Sequence, residues 1–104
     1  MARIDQIEKL LKEDPSDSFL LFALAKEYEK LENLDHALNT YQKLLDVDDK
    51  YVGLYYHLGK LYEILDKKEN ALSTYDQGIK IAQEAKDLHS LSELQSAKMN
   101  CEID

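Results

Sequence analysis

The sequence predicts an all-α protein, a solenoid of antiparallel helix pairs with about six helices. Three observations predict it. Glycine and proline are scarce, at three and one, while Leu, Ala, Glu, Lys and Gln fill long stretches, and these residues lose least on entering a helix. Apolar side chains recur at helical spacing instead of alternating. The chain also repeats itself: "ALNTYQKLL" at 37–45 returns as "ALSTYDQGI" at 71–79, 34 residues later.

Residues 3–14 form the first expected helix. Counting back 34 from Leu44 and Leu45 reaches Leu10 and Leu11, so this segment reads as the second helix of a preceding pair whose first helix is absent. Ser18–Tyr51 then superposes on Val52–Ala85 without a gap. Leu20/Leu54, Leu24/Leu58, Lys26/Lys60, Tyr28/Tyr62, Glu29/Glu63, Leu31/Leu65, Ala37/Ala71, Leu38/Leu72, Thr40/Thr74 and Tyr41/Tyr75 are identical. A fixed period of this size is the signature of a repeat array.

Within the first copy, Leu21, Leu24, Tyr28 and Leu31 mark one helical face from Ser18 to Leu31. A polar break "ENLD" follows, with Asp35 placed to cap the next helix, whose apolar side is Ala37, Leu38, Tyr41, Leu44 and Leu45. The second copy repeats this with Tyr55, Leu58, Tyr62 and Leu65, the break "DKKE", then Ala71, Leu72, Tyr75 and Ile79. Short breaks make each pair an antiparallel hairpin. Ala25 and Gly59 face Ala37 and Ala71, small residues that let the helix axes approach. Gly78, costly in mid-helix by roughly 1 kcal/mol, predicts a close contact. The last helix carries Leu88, Leu91, Leu94, Ala97 and Cys101 and is expected to cap the stack.

These residues resemble the tetratricopeptide repeat (TPR) family, whose pattern is W-x-x-L-G-x-x-Y, then A-x-x-x-F, then P. Leu21, Leu24, Ala25, Tyr28, Ala37 and Tyr41 fill the slots in the first copy, and Tyr55, Leu58, Gly59, Tyr62, Ala71 and Tyr75 fill them in the second. Asp49 and Gln83 stand where the proline would be, so the second helix of copy two is expected to run long. The resemblance divides a single 1–104 domain into an N-terminal half-repeat helix (1–17), a first repeat (18–51), a second repeat (52–85) and a C-terminal capping helix (86–104). It implies a right-handed superhelical stack and places Tyr28, Tyr41, Tyr55, Tyr62 and Tyr75 in core slots.

It further implies a protein–protein interaction module that binds a peptide or protein segment in the concave groove lined by the first helix of each repeat. Helical spacing puts Phe19, Phe22, Lys26, Glu29 and Lys30 on one face of copy one, and Gly53, Tyr56, Lys60, Glu63 and Ile64 on the matching face of copy two, with His57 at its edge. The groove residues expected from this are Phe22, Lys26, Tyr56, His57, Lys60 and Glu63, with two lysines available to acidic groups on a peptide. Phe19 either joins them or packs on a neighbouring helix. Some family members grip the C-terminal carboxylate of chaperone tails. The slots used for that hold Phe22, Lys26, His57, Asp87 and Leu91 here, of which Lys26 alone keeps a matching charge, so this type of ligand is not expected.

The net charge is −8, and every part of the chain is mildly acidic. No basic stretch exists to neutralise phosphates, which excludes nucleic acid and anionic membranes as expected partners. No catalytic motif is present, so no enzymatic activity and no cofactor are expected. His36, His57 and His89 lack metal-ligand spacing, and "DVDDK" at 46–50 lacks the glycine and glutamate of a calcium loop. A single cysteine, Cys101, and the lack of a signal-like block in "MARIDQIEKL" fit a cytoplasmic location. "FLLFALA" is far shorter than the stretch of about 20 that spans a bilayer. A second reading is a self-associating structural protein, a two-fold homodimer in which a second copy covers Ile4, Ile7 or neighbouring apolar surface left by the missing partner of the first helix.

Overall fold

A computed structural model describes residues 2–103. These form six helices and no strand: α1 (Arg3–Glu13), α2 (Ser18–Lys30), α3 (Leu34–Val47), α4 (Gly53–Ile64), α5 (Lys68–Ala85) and α6 (Leu88–Ile103). The chain divides into two compact units, Met1–Asp49 and Lys50–Asp104. No helix among the described residues is long and apolar enough to cross a membrane.

In the first unit α2 packs against both α1 and α3. Ile7, Leu21, Leu24, Ala25, Ala37, Tyr41 and Leu44 are buried. The Asp17 carboxylate caps α2 by accepting from the Leu20 N–H at 3.0 Å, which satisfies one of the four unpaired donors at a helix start. The Ser18 hydroxyl donates to Asp48 at 2.5 Å, joining the start of α2 to the end of α3. Arg3 occupies the slot of a close-packed alanine; it is exposed and pairs with Glu27 at 3.2 Å.

Two expectations change in this unit. The cap of α3 is Asn33, whose side chain accepts from the His36 N–H, and Asp35 sits within the first turn of the helix. The cause is the turn before it. Glu32 adopts a left-handed conformation (φ 60°), and its N–H and that of Asn33 donate to the carbonyls of Glu29 and Tyr28. This closes a Schellman motif that delivers Asn33 to the cap position. Leu31, expected on the apolar face, is the C-cap residue of α2 and is 62% exposed. The second concerns where α1 is apolar on its outside: Ile7 is buried and Ile4 half-buried, whereas Leu10 is 51% exposed.

In the second unit α5 packs against α4 and α6, and α6 also touches α4. Leu54, Tyr55, Leu58, Leu61, Tyr62, Ala71, Tyr75, Ala82, Leu94, Ala97 and Cys101 are buried. As expected, α5 is the longer second helix, 18 residues against 14 for α3, and it ends at Lys86 in a left-handed cap (φ 57°). The close contacts expected of the glycines are there, with one difference. A Cβ on Gly59 would lie 2.2 Å from the Tyr75 ring, so the glycine makes room for a tyrosine and not for Ala71. A Cβ on Gly78 would lie 2.5 Å from the Tyr55 Cβ and 3.1 Å from Leu94.

The core tyrosines follow the expected slots except one. Tyr41 and Tyr75 are fully buried, and each hydroxyl donates to the glutamate twelve residues before it, Glu29 and Glu63. Tyr55 and Tyr62 are buried as well, but Tyr28 is only half-buried. Its ring lies 5.1 Å from that of His36 at the edge of a groove between α1 and α3. On α6, Leu94, Ala97 and Cys101 are buried, Leu91 is half-buried, and Leu88 points into solvent.

Candidate binding surface

The repeat writes the same small device on α2 and on α4. An aromatic ring is followed four residues later by a lysine, and side chains four apart lie one above the other on a helix. Lys26 Nζ sits 5.5 Å from the centroid of the Phe22 ring, and Lys60 Nζ sits 5.7 Å from that of Tyr56. Both are within cation–π reach, worth roughly 0.5–1 kcal/mol at an exposed site. The ring holds each ammonium close to the surface instead of leaving it on a freely rotating stem. Lys26 makes no ion pair among the described residues, whereas Lys60 lies 3.9 Å from Glu63.

In the second unit this device borders a groove between α4 and α6. One part, about 290 Å³, is lined by Tyr56 and Lys60 from α4 and by His89, Ser92, Glu93, Ser96 and Asn100 from α6. An adjoining part of about 180 Å³ shares Tyr56 and Glu93 and reaches His57, Ser90 and Leu94. The rings of Tyr56 and His57 meet edge to face with centroids 5.4 Å apart. His89 pairs with Glu93 at 3.6 Å. At the head of α6 the Asp87 carboxylate accepts from both the N–H and the hydroxyl of Ser90, and these hydrogen bonds hold it below the usual carboxylate range. The groove therefore offers an aromatic wall, a tethered ammonium and a row of hydroxyl, amide and imidazole groups able to hydrogen-bond an extended backbone.

Of the residues singled out from sequence, Tyr56, His57 and Lys60 line this groove together. Glu63 lies one turn further on and faces inward, accepting from Tyr75 while it holds Lys60. Phe22 and Lys26 form the equivalent pair on α2 in the first unit, where Phe22 also tilts against the Tyr41 ring at 6.4 Å. Phe19 is 68% exposed, which resolves its two expected placements in favour of the surface. The α6 side of the groove was missed. Its signal was present in the sequence, since His89, Ser92, Glu93, Ser96 and Asn100 recur at three- and four-residue spacing and so share one helical face. No group of three or more potential metal ligands is found among the described residues.

The tetratricopeptide repeat family matches residues 20–51 and 52–84. The chain belongs to this family. No match is found among curated proteins. Among solved structures, a tetratricopeptide repeat domain protein from Salinibacter ruber is 49% identical over 86% of this chain and 90% of its own, with a TM-score of 0.82. A protein from Bordetella parapertussis is 27% identical, with 97% and 88% coverage and a TM-score of 0.83. The TPR2B domain of yeast Sti1, in its pHsp70 complex, is 18% identical over 95% of this chain and 79% of its own. Its TM-score of 0.88 speaks to the fold alone.

Proposed function

We infer that this protein is a non-enzymatic interaction module that binds a peptide or an extended segment of another protein, using the surface aromatic–lysine pair of α2 in the first unit and that of α4 in the second. The observation that carries this is the duplicated aromatic–lysine pair, Phe22 with Lys26 and Tyr56 with Lys60, kept in register through the repeat. A feature needed only for folding would not have to point outward, yet Lys26 is exposed and Lys60 is half-exposed. The groove between α4 and α6, with Tyr56, His57 and Lys60 on its wall, supports the same reading. In an acidic chain these two held ammonium groups favour a ligand with acidic side chains or a free carboxylate next to apolar residues. Pre-formed helices keep the ordering cost on the protein side small. Glu63 serves by fixing Lys60. Proteins of the same fold include the Sti1 domain, in its pHsp70 complex, and PcrH, in complex with the chaperone binding region of PopD.

The test is selection of a displayed library of random peptides on the full chain, followed by affinity measurement with the enriched peptides. Peptides combining acidic and apolar positions are expected to emerge. Their affinity should fall at least tenfold for the Lys26→Gln, Lys60→Gln double variant, with circular dichroism unchanged. Enriched peptides whose binding ignores both lysines and the Tyr56→Ala substitution would refute this assignment of the surface.

A further inference from the structure

Tyr28 and Tyr62 hold the same slot in the two repeats, yet Tyr62 is buried and Tyr28 only half-buried. Tyr28 opens into a groove of about 400 Å³ between α1 and α3, floored by α2. Leu11, Leu21, Leu24 and the Tyr28 ring make its bed apolar. Sites for small molecules share this size and make-up, an apolar bed with a few convergent polar groups. The polar groups here are unpartnered. The Tyr28 hydroxyl, Lys12, Lys43 and Asn39 all line the groove. None of them has a hydrogen-bond or ion-pair partner among the described residues. Tyr41 and Tyr75, by contrast, each give their hydroxyl to a glutamate.

The groove has two unlike ends. Arg3 pairs with Glu27, Ser18 bonds to Asp48, and the Tyr28 ring lies 5.1 Å from His36. Helices α1 and α3 therefore both run opposite to α2 and parallel to each other. Glu8, Tyr28 and His36 share one end, where burial and the charge of Glu8 hold the Tyr28 phenol above its usual range as a neutral donor. Lys12 and Lys43 share the other end, beside Leu21. The stretch of α3 from His36 to Lys43 makes the groove about 10 Å long.

We propose that this groove binds a small amphiphilic monocarboxylate, its acid group between Lys12 and Lys43 and its apolar body over Leu11, Leu21 and Leu24. Charge complementarity selects the acid. The chain carries a net charge of −8, and Arg3, Lys50, Lys60 and Lys98 each find a carboxylate. Two ammonium groups left without one, at the same end of an apolar bed, attract an anion that brings its own apolar surface. Glu8 at the far end repels a second carboxylate, so a mono-acid is preferred to a diacid of the same length. The site shares no residue with the aromatic–lysine pairs, and it and the peptide-binding reading can fail separately.

Titration of the isotope-labelled full chain with sodium octanoate, followed by amide chemical shifts, tests it. Saturable shifts are expected around Lys12, Leu21, Leu24 and Lys43, with a dissociation constant of about 1 mM, and none in α5 or α6. Octanol, which lacks the charge, should bind about tenfold more weakly, and octanedioate should also bind more weakly than octanoate. The Lys12→Gln, Lys43→Gln double variant changes two exposed residues. It should lose octanoate affinity by about tenfold, with circular dichroism unchanged. No saturable shift up to about 10 mM overturns the proposal, as it would if a protein segment fills the groove instead. So do shifts centred on α4 and α6, octanol binding as tightly as octanoate, or an affinity that ignores both lysines. Octanedioate binding as tightly as octanoate overturns the choice of a mono-acid.

Discussion

Gly59 and Gly78 are places where a single methyl group decides between propensity and packing. Alanine would gain roughly 1 kcal/mol of helix propensity at either position. Its Cβ would meet the Tyr75 ring at 2.2 Å or the Tyr55 Cβ at 2.5 Å, and overpacking of a filled core costs typically 1–3 kcal/mol. Sterics should win, most clearly at Gly78, where the obstacle includes the base of the Tyr55 side chain, which cannot swing away. Urea unfolding of Gly78→Ala should show a net loss of about 1–2 kcal/mol; a stabilised variant would mean that the α4–α5 contact is looser than described. The tyrosines add a pH effect. Burial first, then the carboxylate each hydroxyl serves, holds Tyr41 and Tyr75 neutral far above the ordinary value of 10.0. The unfolded chain releases these protons near pH 10 while the folded chain keeps them. Their contribution is thus intact below about pH 10 and is lost as the pH rises further, by about 1.4 kcal/mol per pH unit for each phenol. The Tyr41→Phe, Tyr75→Phe double variant should be less stable at neutral pH, where two charge-assisted hydrogen bonds are gone, yet flatter in its alkaline decline. Unfolding followed at a series of alkaline pH values checks both parts.

At the scale of the element, the duplicated stretch was the most legible. Two copies at a fixed offset reveal which positions matter, so α2 to α5, their buried tyrosines and the long α5 all follow from the pattern at 18–85. What escaped is where no second copy or no periodic signal exists. Asn33 against Asp35 as the cap of α3 depends on a left-handed residue, Glu32, that carries no glycine to announce it. Helix α6 has no partner 34 residues away, and its buried and exposed apolar residues merged into one stripe when read along the sequence, hiding both the polar edge of the groove and the exposed Met99. The left-handed caps are themselves testable. Glu32 and Asp66 hold the same position in the two repeats, with φ of 60° and 59°. A side chain there costs roughly 1–2 kcal/mol relative to glycine, part of which glycine returns through its freer unfolded state. Asp66→Gly should therefore stabilise the chain by about 0.5–1 kcal/mol. Thermal melting reads this directly, and a lower melting temperature would show that the Asp66 side chain contributes more than its backbone costs.

Across the whole molecule the governing quantity is the net charge of −8. Its ion pairs, Arg3–Glu27, Lys50–Glu84 and Lys98–Asp76 among them, each have a substantially exposed partner, so each is worth about 0–1 kcal/mol. Diffuse repulsion among the surplus carboxylates opposes them. Salt separates the two, because the screening length falls from about 30 Å at 0.01 M to about 8 Å at 0.15 M. Repulsion acting over tens of ångströms is lost, while contacts of 3–4 Å largely survive. Stability should therefore rise with added salt, by a few degrees in melting temperature. Peptide binding should move the other way, since attraction between the lysine pairs and an acidic ligand is screened by the same ions. Opposite signs in one salt series would distinguish a local cationic site from the acidic whole. If affinity instead rises with salt in parallel with stability, the ligand is held by apolar contact at Phe22 and Tyr56, and the two lysines only shape the surface around them.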